Sequence, residues 1–311
     1  MRNSFTVAVP ATSANLGPGF DAIGLALDLI VRANVRPAER FTLSFNGGRS
    51  LPTNDGFANE IIRAMECVLG SGARPNVSIL VENDIPLGKG LGASAAGAVL
   101  GATLAAELAD KKPTQIELAR VVCDLEGHPD NALPALLGGI VVAAMPENAP
   151  PAYLRFDPPS ALSAVLAVPA IVLPTAAARA LLPQSYERRD VVFNIQRAAL
   201  LAASFASGRL EALRVAVDDR IHQPYRAPLI PGFAKMLALR MPGLLSITLS
   251  GAGPSVLALA SDNLASIGDA MRATFAHEGI ESEIFSLRVT TQGAQVTPSR
   301  IEHGEMEISP A

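Results

Sequence analysis

The segment Ile85-Pro86-Leu87-Gly88-Lys89-Gly90-Leu91-Gly92-Ala93-Ser94-Ala95-Ala96 joins a predicted strand at residues 77–81 to a predicted alanine-rich helix at residues 95–108. Glycines just before a helix let bare backbone amides approach a ligand closely, and the amino end of the helix adds partial positive charge. Ser94 supplies a hydroxyl in the first turn. The pattern predicts a phosphate-binding loop, and the alternative is a glycine-rich turn in which Ser94 only caps the helix.

Two better-known phosphate signatures fit this segment poorly. A P-loop ends in Gly-Lys-Ser/Thr, but here Gly90 follows Lys89 and the required earlier glycine is missing. Gly88, Gly90 and Ala93 match a permissive dinucleotide fingerprint. That fingerprint should turn directly out of its strand, whereas residues 82–87 separate the predicted strand from Gly88. Neither signature is favoured.

Predicted strands and helices alternate along the whole chain of 311 residues, of which 49% are hydrophobic. Strands are predicted at residues 5–9, 41–45, 77–81, 140–144, 162–168, 246–249, 256–260 and 283–287. Helices are predicted at residues 59–69, 95–108, 116–123, 191–206, 210–219 and 263–277, with Gly70 as a C-cap and Thr114 and Glu117 as a capping box. This mixture predicts an α+β or α/β fold.

A proline-rich stretch at residues 146–159 suits an extended crossing better than a helix or a central strand. We place a domain boundary there, because linkers between domains often have this composition. The prediction is an N-terminal domain at residues 1–155, a C-terminal domain at residues 156–297 and a flexible tail at residues 298–311.

The overall composition argues against several classes of function. A net charge of −4 leaves no basic surface of the kind that binds nucleic acid or an anionic membrane. Cys67 and Cys123 lack the spacing of a zinc site or a disulfide framework and are typical of core thiols in a reducing cytosol. No export signal precedes Pro10, and the most apolar later stretch, residues 161–174, is too short to span a membrane. We therefore expect a cytoplasmic protein without nucleic-acid or membrane partners.

A polar, glycine-rich segment separates two apolar runs at residues 10–27. Asn15 and Asp21 carry short side chains that can pair with an ammonium group, and Gly17 and Gly19 permit tight backbone. The segment is a candidate binding site, and the alternative is a turn held by side-chain to backbone hydrogen bonds.

Another polar cluster lies at residues 125–132, on a tight turn after a predicted helix. A carboxylate at Glu126 suits Mg²⁺, which prefers oxygen ligands from carboxylates, phosphates and water. His128 and Asn131 lie beside it, although a lone histidine is more often structural and the Asp-Asn pair could simply cap a short helix. A further glycine-rich segment, residues 249–256, could be only a hairpin loop.

These four segments occur in the order expected of the GHMP kinases, a family of small-molecule kinases that act on galactose, homoserine, mevalonate and phosphomevalonate. Residues 86–96 are similar to the family's Pro-x-x-x-Gly-Leu-Gly-Ser-Ser-Ala-Ala phosphate loop, and residues 250–255 resemble its C-terminal glycine motif. Ala93 replaces the first serine of that loop, whereas Ser94 keeps the position implied as the phosphate and metal contact. The resemblance covers nearly the whole chain.

The fold that this resemblance implies is α+β with two domains. The first domain would be like ribosomal S5 domain 2 and the second ferredoxin-like, with ATP bound between them. The predicted strand, helix and strand between residues 246 and 287 agree with the second domain.

Residues outside the phosphate loop indicate the branch of the family. Residues 10–21 and 126–131 resemble the signatures of the homoserine-specific branch. The Gly-Glu-His segment of the galactose-specific branch is absent, and Asn131 stands where the mevalonate-specific branch would carry an aspartate base. Arg179 and Arg226 also fit, although either could be only a surface charge.

The resemblance implies transfer of the ATP γ-phosphoryl group to the hydroxyl of L-homoserine, in threonine biosynthesis. Asn15 and Asp21 would bind the substrate ammonium, and Arg179 and Arg226 its carboxylate. His128 would help to fix the substrate and Asn131 would orient its hydroxyl. The residues implied to bind Mg²⁺ are Ser94 and Glu126, and those implied to bind the nucleotide are Pro86, Leu87, Gly88, Lys89, Gly90, Leu91, Gly92, Ala93, Ser94, Ala95 and Ala96.

Two alternatives stay open at this point. The chain could phosphorylate another small alcohol, or it could be a non-catalytic sensor with the same fold. Retention of Ser94, Glu126 and Asn131 argues against a sensor, because a binding protein does not need a complete metal and transfer apparatus. The family resemblance also implies a homodimer.

Overall fold

The computed structural model describes residues 4–48, 56–110 and 112–298. Its strands are β1 Phe5–Asn15, β2 Gly19–Pro37, β3 Thr42–Gly48, β4 Val77–Asn83, β5 Ile140–Ala144, β6 Ala152–Phe156, β7 Ser163–Pro169, β8 Leu244–Leu249, β9 Val256–Ala260, β10 Ser282–Arg288 and β11 Gln295–Pro298. Its α-helices are α1 Gly56–Leu69, α2 Ala93–Leu108, α3 Gln115–Glu126, α4 Pro129–Leu137, α5 Thr175–Ala180, α6 Arg188–Ser207, α7 Leu213–Ala216, α8 Gln223–Arg226, α9 Phe233–Leu237 and α10 Leu264–His277. This mixed content is the predicted α+β fold.

The first sheet has the strand order β11-β1-β2-β4-β3, and β5 with its partner β6 pairs with the other part of β2. The central helix of this half is α2, which is apolar around almost its whole circumference and buried accordingly. Gly101 of α2 permits the close approach of α1, since a Cβ there would lie 2.1 Å from the carbonyl oxygen of Ile61. The sheet and these helices place the amino end of α2 beside the end of β1.

The second sheet has the order β10-β7-β9-β8 and is covered by α10. Strand β7 is buried on both faces: Leu166 belongs to the core shared with the first sheet, whereas Val165 packs in the core under α10. A strand buried on both sides is a continuous apolar run, which explains the sequence of β9 as well. The two halves therefore share a core along the second sheet.

Most elements were predictable, and the capping box of Thr114 and Glu117 is confirmed in α3. All eight predicted strands are present. The helix predicted at residues 210–219 is wrong, because a 3₁₀ turn and α7 occupy its first part and the helix ends at Ala216. Asp219 instead accepts hydrogen bonds from the backbone N–H groups of the next turn, which breaks the helical path.

The carboxyl end of the described chain returns to the first sheet, where β11 pairs with β1. The boundary predicted at residues 155 and 156 lies at the end of β6, and the division into two sequence-defined domains stays a prediction. Of the tail predicted at residues 298–311, Pro298 ends β11 and the rest lies outside the described residues. Among the described helices, none combines the length and apolar character that a membrane crossing requires.

Candidate active site

A cavity of about 350 Å³ collects most of the predicted site residues. It lies where the loop before α2, the α3–α4 turn, α5, α8 and the β8–β9 hairpin converge. The residues lining it are Asn15, Asp21, Glu60, Gly88, Lys89, Gly90, Leu91, Gly92, Ala93, Ser94, Leu125, Glu126, His128, Asp130, Asn131, Thr175, Arg179, Arg226, Gly251 and Ala252. The four segments singled out in the sequence thus lie in one site, together with residues of α1, α5 and α8.

The loop before α2, residues 88–92, needs glycine for steric reasons, and we call it the glycine loop. Gly90 and Gly92 have positive φ values of 76° and 64°. A Cβ at Gly92 would lie 1.8 Å from the hydroxyl of Thr12, and one at Gly90 would lie 2.3 Å from the carbonyl oxygen of Ser250. The loop is therefore held against both halves of the molecule, with the amino end of α2 beside it.

Only part of the residues predicted to bind nucleotide line the cavity, namely residues 88–94. Ala95 and Ala96 are fully buried, and Pro86 and Leu87 do not line the cavity. The ammonium of Lys89 donates to the carbonyl oxygens of Pro169 and Ile171, at 2.9 and 2.7 Å, and burial lowers its pKa.

Ser94 and Glu126 form a pair of oxygen donors at the start of α2. The hydroxyl of Ser94 donates to Oε1 of Glu126 at 2.7 Å. The N-cap residue of α2 is Gly92, so the alternative that Ser94 only caps the helix is wrong. Burial raises the pKa of Glu126, and this shift is opposed by the bond from Ser94 and by His128. A partly desolvated carboxylate beside a hydroxyl fits Mg²⁺, because a hard cation favours the ionised form of the carboxyl group and can be bound by the oxygens of both side chains.

Asn131 lies near the amino end of α4, and its amide is oriented by a neighbour on β1. Thr12 is fully buried and donates from Oγ1 to Oδ1 of Asn131 at 2.7 Å. Helix α4 begins at Pro129 with His128 as its N-cap residue, so neither Asp130 nor Asn131 is the cap. The role of Thr12 was missed by the sequence analysis, because its partner Asn131 lies 119 residues further along the chain.

His128 and Asp130 form a tight pair in the cavity wall. Nδ1 of His128 lies 2.6 Å from Oδ1 of Asp130, whose residue is 1% exposed. The hydrogen bond with Asp130 raises the pKa of His128, more than burial lowers it. Ligand atoms of these two residues and of Asp21 lie within 4.8 Å of one another. We call these three residues the acidic corner; sequence reasoning missed Asp130 and included the other two.

Asp21 is paired across the cavity with Arg179. The two carboxylate oxygens of Asp21 accept from Nη1 and Nη2 of Arg179 at 2.9 and 2.8 Å, and this bond raises the pKa of the guanidinium. Asn15 accepts from the backbone N–H of Asp21 and donates to the carbonyl oxygen of Gly251. The alternative of a side-chain-stabilised turn is therefore correct for the amide of Asn15, which nevertheless lines the cavity.

Arg226 is 1% exposed, so the surface-charge alternative is wrong for this residue. Its Nε donates to the carbonyl oxygen of Ala178 at 3.3 Å, and its Nη1 lies 3.0 Å from Nδ1 of His222. The guanidinium carbons of Arg226 and Arg179 each lie 5.4 Å from the ring centroid of Phe20. We call these two arginines the arginine pair.

A second cavity, of about 380 Å³, lies on the other side of α8 and contains none of the predicted site residues in its lining. Asp219 and Gln223 form part of its wall. Its position separates it from the glycine loop and from the acidic corner.

Comparison with known proteins identifies the relatives of this chain. Residues 57–139 match the family model for the GHMP kinases N-terminal domain, and residues 200–277 match that for the GHMP kinases C-terminal domain. Homoserine kinase of Solibacter usitatus is 38% identical over 94% of this chain and 97% of its own length. Homoserine kinase of Moorella thermoacetica is 39% identical over 93% of this chain and 99% of its own length. The crystal structure of homoserine kinase from Cytophaga hutchinsonii superposes with a TM-score of 0.81 at 27% identity, covering 96% of this chain and 98% of that one.

Asp130→Asn should lower the pKa of His128, because it removes the carboxylate that favours the imidazolium while burial remains. A raised histidine pKa contributes stability below the pKa of the unfolded chain, and this contribution is lost as the pH rises through the folded pKa. The variant should therefore lose more stability at acidic than at alkaline pH. NMR titration of the His128 ring and urea unfolding at both pH values measure the two effects.

Asp124→Asn is the matched control, since the side chain of Asp124 is 61% exposed on the neighbouring helix. An unchanged His128 titration in Asp130→Asn would mean that the pair is not the cause of the shift.

Proposed function

We propose that this chain, which belongs to the homoserine kinases of the GHMP kinase family, transfers the γ-phosphoryl group of ATP to the side-chain hydroxyl of L-homoserine. The product is O-phospho-L-homoserine, for threonine biosynthesis. GHMP kinases are ATP-dependent kinases that normally need a divalent metal.

The observation that carries the choice of substrate is the pair of opposite charges beside the glycine loop. The acidic corner presents Asp21 and Asp130, and the arginine pair presents two guanidinium groups. An α-amino acid carries one cation and one anion at a fixed separation, so it can satisfy both groups at once. A mevalonate-type alcohol has no ammonium for the acidic corner.

The salt bridge between Asp21 and Arg179 is of a kind that a bound zwitterion can replace. Their side chains are 31% and 46% exposed, and partly exposed pairs of this kind contribute only about 0–1 kcal/mol. A zwitterion would give Asp21 an ammonium and Arg179 a carboxylate, so each charge keeps a partner when the bridge opens. Asn15, His128 and Arg226 would complete the contacts.

The glycine loop and the pair of oxygen donors, Ser94 and Glu126, suit the second substrate, ATP. Backbone amides of residues 88–94 and the amino end of α2 would bind the triphosphate. Ser94 and Glu126 would hold Mg²⁺, which supplies charge neutralisation on the triphosphate when bound. These assignments rest on the chemistry of the donors and on their place in the cavity.

Asn131 would orient the attacking hydroxyl rather than remove its proton. An amide is not a base near neutral pH, and Oδ1 of Asn131 already accepts from Thr12. Phosphoryl transfer passes through a loose transition state, in which alignment and charge neutralisation supply most of the rate. The catalytic set that we propose is therefore Asn131, Glu126 and Ser94.

We also propose a cytoplasmic location and a homodimer. Cys123 is buried, as predicted for a core thiol, whereas Cys67 is exposed on α1, so the core-thiol prediction is wrong for Cys67. The proposed location rests on the unpaired spacing of the two cysteines in the sequence. The homodimer rests on the family resemblance alone.

The function is tested by ATP consumption with homoserine, serine, shikimate and mevalonate. Homoserine should give turnover, whereas serine, with the same charged groups but one methylene fewer, should place its hydroxyl too far from the γ-phosphorus. Preference for mevalonate or shikimate would favour a different alcohol. Calorimetric binding of homoserine without turnover of any substrate would favour the sensor.

Ser94→Ala and Glu126→Gln should raise the Mg²⁺ concentration needed for half-maximal turnover, because each removes a proposed metal ligand. The matched controls are Ser207→Ala and Glu211→Gln, which change the same groups on exposed parts of the second half. Unchanged magnesium titrations in both site variants would remove these residues from the metal site.

Asn131→Ala should lower kcat by about 10²-fold, as expected when a reacting group is misplaced, with little change in the KM for ATP. Asn131→Asp should also be slow, since a new negative charge beside the triphosphate repels it. Asn34→Ala is the matched control, because Asn34 accepts from Thr6 in the same way but outside the cavity. If the aspartate variant equalled the wild type and gained an acidic limb in its pH profile, a base-free mechanism would be wrong.

A further inference from the structure

His222 is fully buried one helical turn before Arg226, and sequence reasoning gave it no role. Its ring stacks on Phe20, with centroids 5.2 Å apart and planes inclined by 28°. Phe20 is the same ring over which both guanidinium groups of the arginine pair lie. The imidazole is thus in contact with the group of side chains that forms one end of the cavity.

The hydrogen bonds of His222 determine its tautomer. Nε2 lies 2.8 Å from the carbonyl oxygen of Gly17, which can only accept, so Nε2 carries the hydrogen. Nδ1 lies 3.0 Å from Nη1 of Arg226, which can only donate, so Nδ1 is an acceptor. Both bonds exist together only in the neutral ring.

The charges around the ring agree with a neutral state. Burial lowers the pKa of His222, and the neighbouring Arg226 lowers it too, whereas Asp219 and Asp21 act in the opposite direction. Asp219 lies 3.6 Å from Nε2, further away than the carbonyl oxygen of Gly17. Its carboxylate already accepts from three backbone N–H groups and from Asn194.

These bonds to Asp219 fix the backbone that carries the ring. The N–H groups of Ile221, His222 and Gln223 all donate to the carboxylate, at 2.9, 2.9 and 2.6 Å. The backbone of His222 is therefore fixed by Asp219. Its ring is fixed by stacking on Phe20 and by the hydrogen bond of Nε2 to the carbonyl oxygen of Gly17. An acceptor fixed in this way can determine where a donor lies.

We infer that His222 is a positioning residue, whose neutral imidazole holds the guanidinium of Arg226 in the orientation that receives the substrate carboxylate. The inference rests on the proposed function. A carboxylate in the place of His222 would also orient Arg226, but it would cancel the charge that the substrate needs. A neutral acceptor orients the guanidinium and leaves its charge available.

A comparison of the partners of Arg179 and Arg226 supports this role of His222. Arg179 is paired with Asp21 and must exchange that partner for the substrate. The hydrogen bonds of Arg226 to other described residues all go to neutral acceptors, namely His222 and the carbonyl oxygens of Ala178 and Gly251. Arg226 is therefore the preformed half of the carboxylate site.

Three substitutions at position 222 separate orientation from packing. The side-chain oxygen of asparagine can occupy the place of Nδ1, whereas the amide of glutamine reaches the place of Nε2, and phenylalanine keeps only the stacked ring. His222→Phe and His222→Gln should raise the KM for homoserine about tenfold or more, as expected for a lost bond to a charged group. His222→Asn should stay closer to the wild type, and the KM for ATP should change little in all three.

A substrate without the carboxylate shows whether the effect passes through Arg226. The amino alcohol in which the homoserine carboxylate is reduced to a hydroxymethyl group should react slowly with the wild type, and the substitutions at position 222 should not slow it further. His277→Phe, the same change at an exposed histidine at the end of α10, is the matched control. A loss of equal size with both substrates, or equal KM values for homoserine in the asparagine and phenylalanine variants, would overturn the inference.

A measurement on the wild type covers the case in which the buried variants do not fold. Nitrogen-15 NMR of protein labelled at its four histidines should show a ring that stays neutral with hydrogen on Nε2 at about pH 5.5, where a histidine with the ordinary pKa of about 6.5 is mostly protonated. Homoserine should perturb the Nδ1 signal of this ring. An imidazolium at position 222, or hydrogen on Nδ1, would refute the inference. Absence of turnover with homoserine in the wild type would instead refute the proposed function.

Discussion

The site depends on the close contact of three backbone segments at Gly90. A Cβ at this residue would lie 2.3 Å from the carbonyl oxygen of Ser250, so only glycine permits the glycine loop to lie against the β8–β9 hairpin. The hydroxyl of Ser250 is 2.7 Å from the carbonyl oxygen of Gly90 and 2.8 Å from the hydroxyl of Ser13, at the end of β1. Lys89 adds two bonds from the same loop to the strand end of the second sheet. The glycine loop, the end of β1 and the β8–β9 hairpin are therefore fixed relative to one another.

Within this fixed arrangement, the negative and positive side chains of the site lie in two separate groups. Negative charge collects in the acidic corner, and positive charge collects over Phe20, whose ring supports both members of the arginine pair. A guanidinium over an aromatic face is stabilised without a counter-ion, which keeps its charge available to a ligand. The one ion pair between the two groups, Asp21 with Arg179, is the most exposed part and the easiest to exchange.

Sequence patterns were sufficient for eight of the eleven strands in the described residues and for the glycine loop, because these depend on local periodicity and steric demands. The predicted strands at residues 140–144 and 256–260 coincide with β5 and β9. The roles of Thr12, Asp130 and His222 were missed, since each acts through a partner that is defined only when the chain is folded. Strands β2, β6 and β11 were not predicted. The polar, glycine-rich start of β2 has no strand-like alternation, and pairing with β1 and β5 stabilises it.

In the proposed mechanism, the hydrogen bond from Thr12 decides how the amide of Asn131 faces a bound alcohol. Oδ1 accepts from the threonine hydroxyl, and Nδ2 lies 3.5 Å from Oδ1 of Asp130, so the NH₂ group has one N–H that can donate into the cavity. A donor can engage one lone pair of the attacking hydroxyl and leave the other directed at the phosphorus, but it cannot take the proton. The amide therefore suits a reaction in which the bond to phosphorus forms late and the hydroxyl needs orientation more than deprotonation. In the proposed mechanism, Thr12 therefore fixes the orientation of the amide at the position where the mevalonate-specific branch would carry an aspartate, because its hydroxyl determines which side of the amide is the oxygen.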